Sequence, residues 1–209
     1  MSNASSHTPI IQSSGIVFRE DFQDPVSIRK NGGIINGTVP IKGKWSIFSN
    51  NVANYIEYPH LDIHNRTEIT VGCWVRNMST ANWRALIGQM GSSNEFLLEF
   101  GTDSKFRLYV QTTNGLGSTA SDAISDLASP HFVVGTWKDT NSVRIYVDGV
   151  EHSDTAHAGA LVDSAIPLRI GVRHSDDYPV DGKIKDCFII FRQLSAKEIS
   201  DMYKNRTYR

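Results

Sequence analysis

The stretch HFVVGTWKDTNSVRIYVDGVEH, His131 to His152, constrains the fold more than any other part of the chain. Phe132 and Val134 share one face of an extended segment, and Val143, Ile145 and Val147 share a face of the next. Side chains alternate across a strand, so apolar residues at a period of two mark a half-buried strand. Asp148-Gly149, set between Val147 and Val150, supplies the positive φ angles of a tight type I′ turn. The spacing predicts a meander of three antiparallel strands with one apolar face.

The same pattern recurs along the chain. ITVGCWVR alternates, with Ile69, Val71, Cys73 and Val75 on one face and Thr70, Trp74 and Arg76 on the other. GIVFREDF, NYIEYPHL, ALIGQM, EFLLEFG, KFRLYVQT, LRIGVR and GKIKDCFIIF read as further short strands between Gly, Pro, Asn, Asp and Ser. QDPVSIRKNGGIINGTVPIKGKW reads as loops with at most short strands, and TNGLGSTASDAISDLASP as a long loop. One helix signal stands out in LSAKEISDMY. There Ser195 and Glu198 form a capping box, and Ile199, Met202 and Tyr203 line one face. Many short strands and one terminal helix predict an all-β fold, an antiparallel β-sandwich or jelly roll.

A chain of 209 residues builds one such domain with a sizeable core. Residues 1–13 read as a polar arm and 14–209 as the domain. The formal net charge is −1 with scattered Lys and Arg, which excludes the basic stripe of a nucleic-acid binder. No apolar run approaches the roughly 20 residues of a membrane helix. The start, MSNASSHTPIIQSSG, has neither the charged nor the apolar region of a signal peptide. Cys73 and Cys187 sit within apolar strand-like runs and read as buried, reduced thiols, although a bridge between neighbouring strands stays open. Glycosylation sequons begin at Asn3, Asn36, Asn65, Asn77 and Asn205 and say little by themselves.

Three segments resemble the laminin G-like jelly-roll domains of the concanavalin A-like lectin/glucanase superfamily. TEITVGCWVR is similar to the family's central strand. HFVVGTWKDTNSVRIYVDGV is similar to its hairpin ending in Tyr-Val-Asp-Gly. LRIGVRHSDDYPVDGKIKDCFIIFRQLSAKEI is similar to its closing segment and helix start. Order and spacing agree from Ser14 to Tyr203. The resemblance implies a fold that hosts lectins, glycosidases and structural modules, so function must be argued from sites.

Glucanases of this superfamily carry acidic residues at alternate positions of one strand, over the sugar. The matching stretch here is EFLLEFG, where Glu95 and Glu99 share a face but Leu97 takes the central position. Carboxylates four residues apart on a strand are separated by roughly 13 Å along its axis, whereas a retaining pair needs about 5–5.5 Å. Glu95 and Glu99 therefore read as solvated outer-face residues, and the chain as a non-enzyme. A glycoside hydrolase remains the distant alternative.

Sugars are held without chemistry by an aromatic plane and planar polar groups on loops. NMSTANWR offers Asn77, Asn82, Trp83 and Arg84. HSDDYP offers His174, Asp176, Asp177 and Tyr178. EHSDTAH offers His152, Asp154 and His157. Trp83 is the leading candidate, because it stands among polar residues outside any alternating strand, with cover of a sheet edge as its other reading. Trp45, Trp74 and Trp137 read as core or edge packing. The family resemblance also implies a rim calcium, for which Asp176, Asp177, Asp181 and Asp186 are the candidate ligands. Lys185 stands where relatives often carry another acid and would repel the cation. No cofactor is required, and the histidines form no recognisable metal pair.

The last strand is apolar on both faces, with Cys187, Ile189 and Phe191 on one and Phe188 and Ile190 on the other. Either the terminal helix or the N-terminal segment covers the second face, or a partner does. The leading expectation is thus a lectin-like surface module, extracellular or on a virion, that adheres to a glycosylated surface. The alternative is a capsid-decoration or assembly protein that meets its own copies or a capsid through Phe188, Ile190 and the N-terminal arm.

Overall fold

The computed structural model describes residues 16–91 and 94–205; the N-terminal arm, residues 1–13, lies outside them. The elements are β1 (Ile16–Glu20), α1 (Pro25–Lys30), β2 (Ile34–Asn36), β3 (Ile41–Lys42), β4 (Trp45–Ser49), β5 (Tyr55–Tyr58), β6 (Glu68–Arg76) and β7 (Arg84–Met90). They continue with β8 (Asn94–Phe100), β9 (Phe106–Thr112), β10 (Gly115–Ala120), β11 (His131–Lys138), β12 (Asn141–Val147), β13 (Val150–His157), β14 (Leu168–Ile170), β15 (Asp181–Ile190) and α2 (Ala196–Asn205).

The strands form two antiparallel sheets, as the alternating pattern predicts. One sheet has eight strands in the order β13-β12-β11-β6-β15-β4-β3, with β1 also beside β15. The other has seven, in the order β10-β9-β8-β7-β14-β5-β2. The inward residues of both build one core. It contains Val71, Cys73, Val133, Val143, Ile145 and Ile189 from the first sheet, and Phe96, Leu98, Phe106, Leu108 and Val110 from the second. The predicted meander is β11-β12-β13, and its second turn has Asp148 at φ 53 and Gly149 at φ 81. Cys73 and Cys187 are free and buried, in keeping with the expectation of reduced thiols. No helix among the described residues is long and apolar enough to cross a membrane.

The second face of the last strand is covered from within the chain. Phe188 and Ile190 are both 0 % exposed and pack with Trp45, Trp74, Phe132, Val134, Tyr146, Leu194, Ile199 and Met202. The α2 helix lies over this outer face of the eight-stranded sheet, and Ile16 of β1 packs at the same cluster. The Ser195 amide donates to Glu198 Oε2 at 2.8 Å, and the Glu198 amide donates to the Ser195 hydroxyl oxygen at 3.3 Å, the predicted capping box. Tyr203 stacks on Trp74 with centroids 5.9 Å apart. Each such aromatic or aliphatic side chain removed from water stabilises by roughly 1.5–3 kcal/mol. Of the two covers that the sequence leaves open, the chain's own helix is the one found, and the alternative in which Phe188 and Ile190 meet a partner is corrected. Gly72 of β6 makes the layer fit, since a Cβ there would overlap the Phe188 ring.

Three local expectations are also corrected. The stretch read as loops contains α1, which Asp24 caps by accepting from the Val26 and Ser27 amides at 2.7 Å, with Pro25 at its first turn. The stretch read as a long loop opens with β10, an edge strand paired to β9. EHSDTAH lies on β13, where Asp154 meets Arg144 at 3.1 Å and His157 contacts the Thr112 hydroxyl at 3.0 Å.

Candidate functional site

On the outer face of the seven-stranded sheet is a pocket of about 290 Å³, lined by Trp83, Met90, Glu99, Tyr109, Leu116, Arg173 and Tyr178. The periodicity of the strands puts these groups there. Phe96, Leu98 and Phe100 of β8 enter the core, so Glu95, Leu97 and Glu99 must point outward. Phe106, Leu108 and Val110 of β9 do the same, which turns Arg107 and Tyr109 outward. Leu97, Ala85 and Met90 make a small apolar floor against which Tyr109 and Tyr178 pack.

The pocket has an aromatic mouth. Trp83 comes from the loop before β7 and Tyr178 from the connection between β14 and β15, and both are half-buried. Their centroids are 6.4 Å apart and their planes differ by 39°. Arg107 lies over the Trp83 ring at 4.7 Å and Arg173 over the Tyr178 ring at 4.4 Å. Each guanidinium is held by an acid: Arg107 Nη1 donates to Asp103 Oδ1 at 2.9 Å, and Arg173 Nε donates to Asp177 Oδ1 at 2.6 Å. A guanidinium fixed by a carboxylate and laid on a ring clamps that ring at low entropic cost. Gly101 permits the arrangement, because a Cβ there would overlap the Arg107 guanidinium and sit 2.8 Å from the indole.

One carboxyl lies among the lining groups. Glu99 is 3 % exposed, and its burial pushes its pKa up to about 7 against the lowering effects of Arg107, Tyr109 and Arg173. Burial and the nearby Glu99 together push Tyr109 up to about 12. With both arginines neutralised by Asp103 and Asp177, the site presents a weak acid, two aromatic rings and a phenol hydroxyl. That set can stack an apolar ring face and exchange hydrogen bonds with hydroxyls.

The loop candidates divide. The structure brings Trp83 and Tyr178 together. Asn77 and Asn82 are exposed in the loop before β7 and do not line the pocket. Arg84 is corrected: it is 0 % exposed and donates to Ser79 O, Asn50 Oδ1 and Pro179 O at 3.2, 2.5 and 2.8 Å. It staples three loop segments and has no reach to a ligand. His174 is half-buried, with its ring beside Gly91, and is not among the lining residues.

Glu95 and Glu99 are buried, not solvated as expected, and they serve different neighbourhoods. Glu95 accepts from the Ser164 amide at 2.6 Å and from Gln89 Nε2 at 2.9 Å. The four aspartates proposed for calcium are not gathered. Asp176 pairs with Arg169 at 2.7 Å, Asp177 belongs to the Arg173 clamp, Asp181 opens β15, and Asp186 is buried in the strand's bulge. Sequence reasoning missed Arg107, Tyr109 and Arg173. The available signal was KFRLYVQT itself, whose polar face carries an arginine and a tyrosine two apart.

The chain belongs to the concanavalin A-like lectin/glucanases superfamily: a laminin G family model described so matches residues 49–200, more than half of the sequence. Several solved structures share the fold. The receptor-binding domain of botulinum neurotoxin type G matches at a TM-score of 0.71 and 15% identity, over 92% of this chain and 52% of that one. The binding domain of Paraclostridial Mosquitocidal Protein 1 matches at 0.75 and 11%, over 92% and 52%. The ligand-binding domain of botulinum neurotoxin serotype D, in complex with N-acetylneuraminic acid, matches at 0.73 and 14%, over 92% and 51%. At such identities the likeness carries the fold alone, and this chain spans about half the length of each. No curated protein matches the sequence.

Proposed function

We propose that the chain is a non-catalytic carbohydrate-binding module that stacks a sugar ring on the aromatic mouth formed by Trp83 and Tyr178, with Glu99 and Tyr109 hydrogen-bonding its hydroxyls. The observation that carries this reading is the pair of arginine-clamped rings at the mouth of a pocket with one buried carboxyl. The cavity lies at the lower end of the roughly 300–1,000 Å³ of small-molecule sites, which suits one or two sugar residues. Binding domains of similar fold, one of them solved with N-acetylneuraminic acid, support a recognition role. Here the two arginines are already neutralised, so the pocket favours neutral sugars over acidic ones.

The case against hydrolysis is local. A glycosidase sets two carboxyls about the scissile bond. Glu99 lines this pocket, whereas Glu95 is engaged by Ser164 and Gln89. The assembly reading loses its contact surface at Phe188 and Ile190, because α2 covers them. The module acts at a surface that bears glycans.

A glycan array followed by calorimetry tests the proposal. Neutral glycans should bind, and Trp83→Ala should weaken them about ten- to a hundredfold, equivalent to roughly 1.4–2.8 kcal/mol, with circular dichroism unchanged. Undiminished binding by the variant, or reducing-end release from laminarin by the wild type, would overturn it.

A further inference from the structure

We propose that His60, Glu95 and Asp163 form a binding site for a divalent transition-metal ion of the zinc or manganese class, separate from the sugar pocket. One ligand atom from each lies within 4.8 Å of the other two. The residues come from the connection between β5 and β6, from β8, and from the segment before β14. Their wide separation in sequence is why no motif announces them.

The chemistry of the set selects the metal. One imidazole and two carboxylates are borderline ligands suited to zinc or manganese. Calcium prefers six to eight oxygens and seldom takes nitrogen. Outer hydrogen bonds fix each acid in orientation, as metal ligands require. Asp163 Oδ2 accepts from the Ile63 amide at 3.1 Å and Asp163 Oδ1 from the Ala165 amide at 2.7 Å. Glu95 Oε1 accepts from the Ser164 amide at 2.6 Å. His60 Nε2 stands 2.7 Å from Asp163 Oδ1. A metal ion would replace the proton shared there, with the imidazole neutral.

A second observation comes from Gln89, which is 0 % exposed. Its Nε2 donates to Glu95 Oε2, Leu61 O and Ile166 O at 2.9, 3.1 and 3.2 Å. Three acceptors around the nitrogen fix the amide's orientation. Its Oε1, on the same amide whose nitrogen meets Glu95, is then left buried with no partner. Such an acceptor is costly to leave alone, and a cation or its bound water satisfies it. The His60 side chain is 28% exposed, which gives an ion its way in. Metal there would tie the segments around His60 and Asp163 to β7 and β8.

The test is titration of chelator-treated protein with zinc and with manganese by calorimetry and thermal melting. One equivalent of at least one of them should bind and raise the melting temperature by a few degrees. His60→Ala, at a part-exposed position, should keep the circular dichroism spectrum and weaken that binding at least tenfold. Glu95→Gln should do the same. Failure of both metals to bind the folded wild type overturns the proposal, and so does binding undiminished in His60→Ala. Neither result bears on the sugar pocket, whose ligand is assayed separately.

Discussion

The rings of Trp83 and Tyr178 face one another across 6.4 Å, and each has an arginine on one side. Tyr178 holds this place at a φ of 54, a left-handed conformation that an L side chain adopts at a cost of about 1–2 kcal/mol. In the proposed site this conformation sets the ring at the pocket mouth. Tyr178→Gly should thus leave the melting temperature nearly unchanged, since relief of backbone strain offsets lost packing. Affinity for neutral glycans should fall about tenfold, read by calorimetry. A large loss of stability would show that the ring is mainly structural.

Glu99 makes stability depend on pH. Its carboxyl is raised from 4.5 to about 7, chiefly by burial. The folded state therefore holds the proton more tightly than the unfolded chain does. The stability this contributes is fully present below about pH 4.5 and is lost as pH rises through about 7. At roughly 1.36 kcal/mol per unit the limit is about 3 kcal/mol. Glu99→Gln should flatten this part of the pH profile and stabilise the protein at pH 8 relative to wild type. Denaturant melts at pH 5 and pH 8 measure it; equal effects at both would refute the assignment.

The fold was legible where local chemistry is self-contained. Alternation along β6 and β11–β12 marked strands, Asp148-Gly149 marked the turn, and Ser195 with Glu198 marked the start of α2. Short elements were lost because tertiary pairing, not pattern, makes them. β10 reads GLGSTA and is a strand only because β9 offers an edge. α1 was lost although Asp24 and Pro25 announce it, since its six residues show little periodicity. Of the site, Trp83 and Tyr178 were legible as aromatics among polar residues. Arg84 misled because a charged loop residue normally points to water, and here three loops converge on it. The face of β8 misled for a related reason. Neighbouring side chains and loops bury a sheet's outer surface, so an outward glutamate need not be solvated.

Asp186 interrupts β15 at the bulge where its outer neighbour changes from β4 to β1. It is 1 % exposed, its Oδ2 has no hydrogen-bond partner, and Lys185 Nζ is 3.7 Å away. Burial pushes it up to about 7 despite the lowering effect of Lys185. The sign is as for Glu99: its contribution is present below about pH 4 and lost as pH rises through about 7. Its φ of 49 suits asparagine as well as aspartate. Asp186→Asn should therefore keep the bulge and stabilise the protein by about 1–2 kcal/mol at pH 8, with little change at pH 5. Destabilisation at pH 8 would mean that the Lys185 contact outweighs desolvation.

Ile190 distinguishes cover by the chain's own helix from cover by a partner. It is 0 % exposed, on the outer face of the eight-stranded sheet, within the cluster that includes Ile199 and Met202 of α2. Replacing it with threonine removes one methylene and exchanges a methyl for a hydroxyl buried among aromatic and aliphatic neighbours. The transfer loss is about 1 kcal/mol, and an unsatisfied buried hydroxyl adds roughly 1–3 kcal/mol. Ile190→Thr should lower unfolding free energy by about 2–4 kcal/mol in urea, and the sedimentation coefficient of the folded protein should match wild type. Met202→Ala should cost a comparable roughly 2–5 kcal/mol as a large-to-small change on the helix side of the same layer. The two losses should be less than additive when combined, because both loosen one contact between α2 and the sheet. A change in sedimentation without loss of stability would instead place a partner on this face.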